Sequence, residues 1–283
     1  MERLRVACVQ WGYRDFSDAA DFWQELEWQI RTARVDYSAQ LLILPEYVAA
    51  GFPQGWPKEA EWLSRLARLA STLQLWIVGG SMPRVAENGL RNRAWVIGPA
   101  GESFFQDKLH ITPWERDAWN MVGGDGLALI DIGGCKIAVA ICYDVEFPEQ
   151  IRAVADAGAE ILCVPYCTDD WHGHHRVTRC AMARAVENTM YIATAGGVGM
   201  IRARGGFAHH QAQSVIATPC DIGFPFEGVA ARAHAAQAGV IVAELDLELL
   251  RSRRQGGTVQ PRLNLRRDLF PASCSAGWAQ KNC

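Results

Sequence analysis

The stretch Lys136-Ile137-Ala138-Val139-Ala140-Ile141-Cys142-Tyr143-Asp144-Val145-Glu146-Phe147-Pro148-Glu149 passes from an apolar run of β character into a helix-like segment within a few residues. A strand that ends at a thiol and turns at once into a helix holds that thiol on a sharp corner, with the first amides of the helix pointing towards it. Such a corner is expected to lower the thiol pKa and to offer backbone donors to an oxyanion, which suits a nucleophile. Of the nine cysteines only Cys142 has this setting.

Working outward, strand-like and helix-like segments alternate. Towards the N-terminus the patterning predicts strands over Arg5–Gln10, Leu41–Pro45 and Leu75–Gly79, with helices over Ala19–Val35 and Glu59–Thr72 between them. The rhythm then changes. Asn92–Ile97 and Glu102–Gln106 flank Gly98-Pro99-Ala100-Gly101, and Leu127–Asp131 and Lys136–Ile141 flank Gly133-Gly134, so each pair reads as an antiparallel hairpin. Beyond the corner come a helix over 148–157, a strand over Ile161–Pro165, a helix over 175–189 and a strand over Tyr191–Ala195. Strands over Ser214–Ala217 and Val240–Leu245 and a short helix from Asp246 to Arg251 complete the set. Parallel-type units mixed with hairpins predict large mixed sheets covered by helices, rather than an open doubly wound sheet.

Composition sets the bounds. Apolar residues make up 49% and charged residues 21% of 283, the balance of a globular protein with a large core. A net charge of −3 gives no electrostatic footprint for nucleic acid or an anionic membrane. The arginines at 251, 253 and 254, and at 266 and 267, read as a solvated helix end and an ion-pairing segment. No apolar run approaches the ~18 residues of a membrane span, and Met1–Gln10 is too short and too soon broken for a signal peptide. The cysteines are odd in number and lack a Cys-x-x-Cys pair. Cys8, Cys135, Cys142, Cys163, Cys167 and Cys220 lie in or beside apolar runs, as small buried hydrophobes do, so a reducing cytoplasmic home is expected. Residues 271–283, with Cys274 and Cys283, read as a loose C-terminal tail.

Two further strand ends carry charge. Leu41-Leu42-Ile43-Leu44-Pro45-Glu46 ends a buried strand in a carboxylate, and Phe104-Phe105-Gln106-Asp107-Lys108 ends a hairpin strand in an ammonium. Alone, Glu46 reads equally as a helix-capping acid and Lys108 as a solvated hairpin end. Gathered with Cys142 in one cleft, the carboxylate would take the thiol proton, the lysine would stabilise a tetrahedral oxyanion and the thiolate would attack.

Leu44-Pro45-Glu46, Asp107-Lys108-Leu109-His110, and Cys142-Tyr143-Asp144 with Phe147-Pro148-Glu149, resemble the three signatures of the nitrilase superfamily, the carbon–nitrogen hydrolases with a Glu-Lys-Cys triad. Order and spacing agree, with 62 residues from Glu46 to Lys108 and 34 from Lys108 to Cys142. Ala183-Arg184-Ala185-Val186-Glu187-Asn188 is similar to the family's helix beyond the active site, and the resemblance runs from about Arg5 to Phe270. It implies a carbon–nitrogen hydrolase domain over 1–270, folded as an α/β four-layer α-β-β-α sandwich with two mixed sheets. It implies Glu46 as general base, Lys108 as oxyanion stabiliser, Cys142 as nucleophile, the Tyr143 amide as second oxyanion donor, and Glu115 as an acid that orients the lysine. For Glu115 the rival reading is a first-turn helix acid before Arg116. Neither cofactor nor metal is implied; the expected partners are a small-molecule amide and other copies of the chain, in a homodimer or higher homo-oligomer.

The chain departs from the family at one informative place. Members often carry arginine four residues after the cysteine, where carbamoylases grip a substrate carboxylate, but here that residue is Glu146. True nitrilases usually follow the cysteine with Trp-Glu, whereas Tyr143-Asp144 favours amides over nitriles. Among subgroups, the segment most resembles bacterial amidohydrolase-like members that are often fused to an acetyltransferase domain. The expected reaction is hydrolysis of a small linear amide through a thioester; nitrilase or N-carbamoyl amide activity, transfer to an amine, and a non-catalytic regulatory role are the alternatives. Candidate pocket residues are Glu146, Trp114, Tyr166, Cys167 and Trp171, with Trp56 a further wall. Glu146 is expected either to face the pocket mouth or to pair with Arg152 or Arg184. Asp169-Asp170-Trp171-His172-Gly173-His174-His175 contains metal-type ligands without a His-Glu-x-x-His pattern, and reads as a loop leading into a helix; His209-His210 reads as loop surface.

Overall fold

The computed structural model describes residues 1–53, 55–201 and 209–269. The tail expected at 271–283 lies outside the described residues.

The first strand, β1 (Arg3–Tyr13), is apolar on both faces because both are covered. Leu4, Val6 and Cys8 enter the core between two sheets. Ala7, Val9 and Trp11 point the other way, into a second core beneath helices. One of these helices is α1 (Ala19–Val35), whose N-cap Asp18 accepts the Asp21 amide at 2.8 Å. Its Phe22, Leu26, Ile30 and Ala33, spaced three or four apart, form the face that packs on the sheet. Then β2 (Leu41–Ile43) lies parallel to β1, α2 (Glu59–Leu73) packs beside α1, and β3 (Trp76–Ala86) lies parallel to β2. The chain folds back antiparallel through β4 (Gly89–Ile97) and β5 (Ser103–Asp107), and the short helix α3 (Pro113–Trp119) follows.

The second sheet begins with the hairpin β6 (Leu129–Asp131) and β7 (Lys136–Val139). A 3-10 turn over Cys142–Glu146 leads into α4 (Pro148–Asp156). The strands β8 (Ile161–Pro165) and β9 (Tyr191–Ala195) add in parallel, with α5 (Trp171–Asn188) between them in the chain. The short β10 (Gly197–Gly199) crosses to the first sheet to pair with the end of β1, while β11 (Val215–Ala217) and β12 (Val229–Arg232) finish the second sheet. Finally β13 (Gly239–Asp246) runs antiparallel along β1, and α6 (Leu247–Gly256) follows it directly. Strand order is β10-β1-β2-β3-β4-β5 with β13 beside β1 in one sheet, and β12-β11-β9-β8-β7-β6 in the other.

The larger core joins Val6, Ile43 and Val96 of the first sheet to Ile137, Ile161 and Ile192 of the second, and reaches Val154 and Ala181 of α4 and α5 outside it. This is the expected four-layer α-β-β-α sandwich with two mixed sheets. Several boundaries differ from expectation. The helix α5 starts at Trp171, because Asp170 caps it by accepting the Gly173 amide at 2.7 Å, so the histidine run belongs to its first turns and not to a loop. The strands β10 and β12 were not expected, and the helix α3 was anticipated only through the reading of Glu115 as a first-turn acid. Arg254 is not part of a solvated helix end: it is half-buried and donates to Thr189 O at 2.7 Å and Ala159 O at 2.6 Å. Cys220, expected as a small buried hydrophobe, is exposed.

Candidate active site

Glu46 follows β2, Lys108 follows β5, Cys142 follows β7 and Cys167 follows β8, so four strand ends converge on one end of the sandwich. Two of the resulting turns hold a non-glycine residue in the left-handed region, Tyr47 at φ 53° and Cys142 at φ 48°. Each costs on the order of 1–2 kcal/mol and persists because the surroundings impose it. Under the first turn lies a β-bulge, where the β3–β4 register shifts between Val78 and Ser81. Gly80 sits there at φ 67°, and any Cβ on it would run into Pro45 O, so the Glu46 turn rests directly on a glycine backbone.

The Cys142 corner is fixed by the next residue but one. The Asp144 carboxylate accepts the Ile141 amide at 3.2 Å within its own turn. Across the cleft it accepts the amides of Leu109 at 3.2 Å and His110 at 2.8 Å, immediately after Lys108. The His110 ring meets Asp144 Oδ1 at 3.0 Å and stacks on Phe147 at 3.6 Å between centroids. Asp144 thus ties the turn carrying the thiol to the turn carrying the ammonium.

The charged centre is compact and buried. Lys108 Nζ donates to Glu46 Oε1 at 2.8 Å and to Glu115 Oε1 and Oε2 at 2.8 and 2.9 Å. Both readings of Glu115 hold at once. It is the third residue of α3, closing a capping box with Thr112, and its carboxylate also clamps Lys108. Its Oε1 further accepts the Tyr47 hydroxyl at 2.6 Å. The Glu46 backbone carbonyl accepts the Tyr13 hydroxyl. Asn92, on β4, donates through Nδ2 to Glu46 Oε1 at 2.8 Å and Glu115 Oε1 at 3.1 Å. Asn92 carries no sequence signal: it is a polar residue inside a strand pattern with no motif around it.

Environment drives the two carboxylates apart. Burial lifts Glu46, only partly offset by the Lys108 charge and assisted by Glu115, so that it titrates at about 7. Burial alone would lift Glu115 too, but Lys108's charge and hydrogen bonds from Lys108, Tyr47 and Thr112 outweigh it and bring Glu115 to about 2. Burial alone would lower Lys108; the charges of Glu46 and Glu115 prevail and hold the ammonium well above its ordinary value. The thiol departs from expectation. Burial and then the Glu46 carboxylate push Cys142 well above the ordinary range, with Lys108 opposing, so the corner does not create a resting thiolate. A neutral thiol beside a carboxylate that titrates near neutrality is an arrangement for proton transfer during attack.

These groups form the floor of a cleft of about 270 Å³. Of the candidate pocket residues Trp114, Glu146 and Cys167 line it, together with Tyr143, Thr168 and Arg176. Tyr166 does not: it is fully buried behind the wall, with its hydroxyl 3.3 Å from His174 Nδ1 and accepting the Gln213 amide at 3.2 Å. Trp171 does not line it either, since its place on the first turn of α5 turns it onto His174 and His175. Trp56 packs on Tyr47 and Trp119 instead. Glu146 combines its two expectations with a different partner: it lines the cleft and pairs with Arg176 of α5, Nε to Oε1 at 3.5 Å. Arg184 donates to the Glu146 backbone carbonyl at 3.2 Å, and Arg152 makes no pair with it. His210, read as loop surface, is buried, with Nδ1 3.3 Å from Cys167 Sγ and its ring 4.6 Å from Tyr13. Among the described residues no group of three His, Cys, Asp or Glu side chains forms a metal-binding cluster, and no helix is long and apolar enough to cross a membrane.

A family model described as carbon-nitrogen hydrolase matches residues 5–255. The chain is 33% identical to a probable hydrolase, YhcX, of Bacillus subtilis over 94% of its own length and 54% of that protein's, so it spans about half of that relative. It is 28% identical to the omega-amidase NIT2-A of Xenopus laevis, covering 82% of this chain and 85% of the other. A nitrilase of Pyrococcus abyssi is 31% identical, covering 76% and 80% respectively. Among solved structures, Nit3 of Saccharomyces cerevisiae, a member of branch 10 of the nitrilase superfamily, superposes with a TM-score of 0.75 at 23% identity, over 90% of this chain and 94% of that one. An amidase from Nesterenkonia sp. AN1, in a form showing covalent addition of the acetamide moiety of fluoroacetamide at the active site cysteine, also gives a TM-score of 0.75, at 22% identity over 96% and 97% of the two chains. At these identities the structural likeness is one of fold.

Proposed function

The chain belongs to the carbon–nitrogen hydrolase family, and from that premise we propose that it hydrolyses a small linear amide through a thioester on Cys142. The observation that carries the reading is the position of Lys108 Nζ, 2.8 Å from Oε1 of both Glu46 and Glu115 on the floor of the cleft that also exposes Cys142. In the proposed sequence, Glu46 takes the thiol proton as sulfur attacks the substrate carbonyl. The Lys108 ammonium and the Tyr143 amide stabilise the oxyanion that forms. As the tetrahedral intermediate collapses, protonated Glu46 gives its proton to the departing nitrogen, and ammonia or an amine leaves. Water then gives a proton to the same carboxylate and attacks the thioester; collapse returns the thiol and releases the acid. Glu115 keeps its charge throughout and holds the lysine in place.

The omega-amidase among the relatives and the amidase among the structural neighbours support amides as the substrate class. Tyr143-Asp144 after the nucleophile supports the same choice over nitriles. At the cleft mouth Glu146, Asp169 and Asp170 outnumber Arg176, a balance that favours neutral or amine-bearing amides over anionic ones.

The test is a panel of amides and nitriles scored by ammonia release, with intact-mass measurement during turnover. We expect an acyl adduct on Cys142 and no turnover by Cys142→Ala. Substantial hydrolysis by that variant, or an adduct on another residue, overturns the reading.

A further inference from the structure

On β4 the side chains alternate between the two cores: Ala94 and Val96 face the other sheet, whereas Trp95 faces the helices. Asn92 shares the face of Ala94 and Val96, where an apolar residue would pack, and it is completely buried. Three of its hydrogen bonds lead to the charged centre. Its backbone carbonyl accepts the Lys108 amide at 2.8 Å, and Nδ2 donates to Glu46 Oε1 and Glu115 Oε1 at 2.8 and 3.1 Å. Those are the same two oxygens that Lys108 Nζ bridges. The orientation of the amide is fixed by charge, since the opposite orientation would turn Oδ1 against two carboxylates. Asn92 Oδ1 has no hydrogen-bond partner among the described residues, so the side chain is kept buried for what its nitrogen does.

The Glu46 oxygen Oε1 receives both Lys108 and Asn92, neither of which reaches Oε2, and the Glu46 carboxylate is within hydrogen-bonding reach of Cys142. We propose that Asn92 is a positioning residue for the base: its amide fixes which Glu46 oxygen is offered to Cys142 and, by donating to the ionised carboxylate, sets the pH at which the base works. A neutral donor does this without adding a charge to a centre that already holds one ammonium between two acids. The proposal rests on Glu46 acting as the base, as argued above.

The experiment compares wild type, Glu46→Gln, Asn92→Leu and Asn92→Ser in kcat/KM against pH on one small neutral amide, with thermal unfolding recorded for each. Glu46→Gln tests the base separately: if it keeps the wild-type profile, the reading of Glu46 fails whatever Asn92 does. Removing a hydrogen bond to the charged form disfavours that form. We therefore expect Asn92→Leu to move the acid limb upwards by about one pH unit and to lower kcat by about tenfold to a hundredfold, with KM little changed. Asn92→Ser, which leaves room for water to donate in its place, should shift the limb less, and it serves alone if the leucine variant does not fold. An acid limb at the wild-type pH in a folded variant, even with reduced kcat, overturns the proposal and leaves Asn92 a structural residue.

Discussion

Glu46 and Glu115 face one another across a single ammonium, each with Oε1 2.8 Å from Lys108 Nζ, yet they titrate at about 7 and about 2. The shared lysine cannot account for the difference. Glu115 gains the Tyr47 hydroxyl and the Thr112 amide and hydroxyl, whereas burial dominates at Glu46. One carboxylate thereby stays charged at neutral pH, and the other can gain or lose a proton there.

The first prediction concerns pH. A base must be ionised to accept a proton, so kcat/KM should fall as pH drops through about 7, the value at Glu46. Glu115 stays ionised down to about 2 and should add no limb at working pH. A profile that stays flat from about pH 8 to about pH 5 would contradict the assignment of Glu46 as base.

Stability should show the opposite dependence. Glu46 binds its proton more tightly folded, at about 7, than at its ordinary 4.5, so the proton stabilises the native state below 4.5 and that stabilisation is lost as pH rises through 7. The ionised form costs up to ~3 kcal/mol. Glu46→Gln should accordingly be more stable than wild type at about pH 8, with the advantage gone near pH 4.5. Urea unfolding at the two pH values measures it; equal gains at both would show that the effect is not the buried charge.

Asp144→Ala removes the acceptor of three backbone amides, those of Leu109, His110 and Ile141. It should cost about 3 kcal/mol, because hydrogen bonds to a charged group are the strong ones and the abandoned donors are buried at Ile141 and half-buried at Leu109 and His110. It should also lower kcat by about 10²-fold by loosening Lys108 relative to Cys142. Denaturant unfolding and steady-state kinetics measure the two effects; lost stability with unchanged kcat would mean that the tie serves folding alone.

Glu146 pairs with Arg176 while partly exposed, so the pair is worth ~1 kcal/mol at most and Glu146→Gln should fold normally. Its effect should appear in selectivity, as about a tenfold loss of kcat/KM for amine-bearing amides relative to neutral ones of equal length. Glu146→Arg should go further and admit anionic amides. Competition between matched cationic, neutral and anionic amides measures this, and unchanged ratios would make Glu146 only a partner for α5.

Long periodic elements were legible in the sequence. The predicted limits of Ala19–Val35, Ile161–Pro165 and Tyr191–Ala195 are the observed ones, because apolar spacing and flanking turns agree there. The extent of the helix α3 was not legible because seven residues show too little periodicity; only its start was, through Glu115 as a first-turn acid in Thr112-Pro113-Trp114-Glu115, a capping box with proline at its first position. The strands β10 and β12 have three and four residues, glycine-rich or half-exposed, and leave no alternation to read. Strand ends pointed to Glu46, Lys108 and Cys142. What they could not reveal was burial, and burial sets the Glu46 and Cys142 protonation states and hides Asn92 and His210.

Glu46 and Lys108 are carried by one sheet and Cys142 by the other, and only the face-to-face packing of the two brings them into one cleft. A chain with either sheet formed alone would hold Glu46 and Lys108 without Cys142, or Cys142 without them. Turnover therefore serves as a built-in gauge of how the sandwich closes. During refolding, recovered activity should track the docking of the sheets, and secondary structure restored ahead of activity would mark halves that have formed but not yet met.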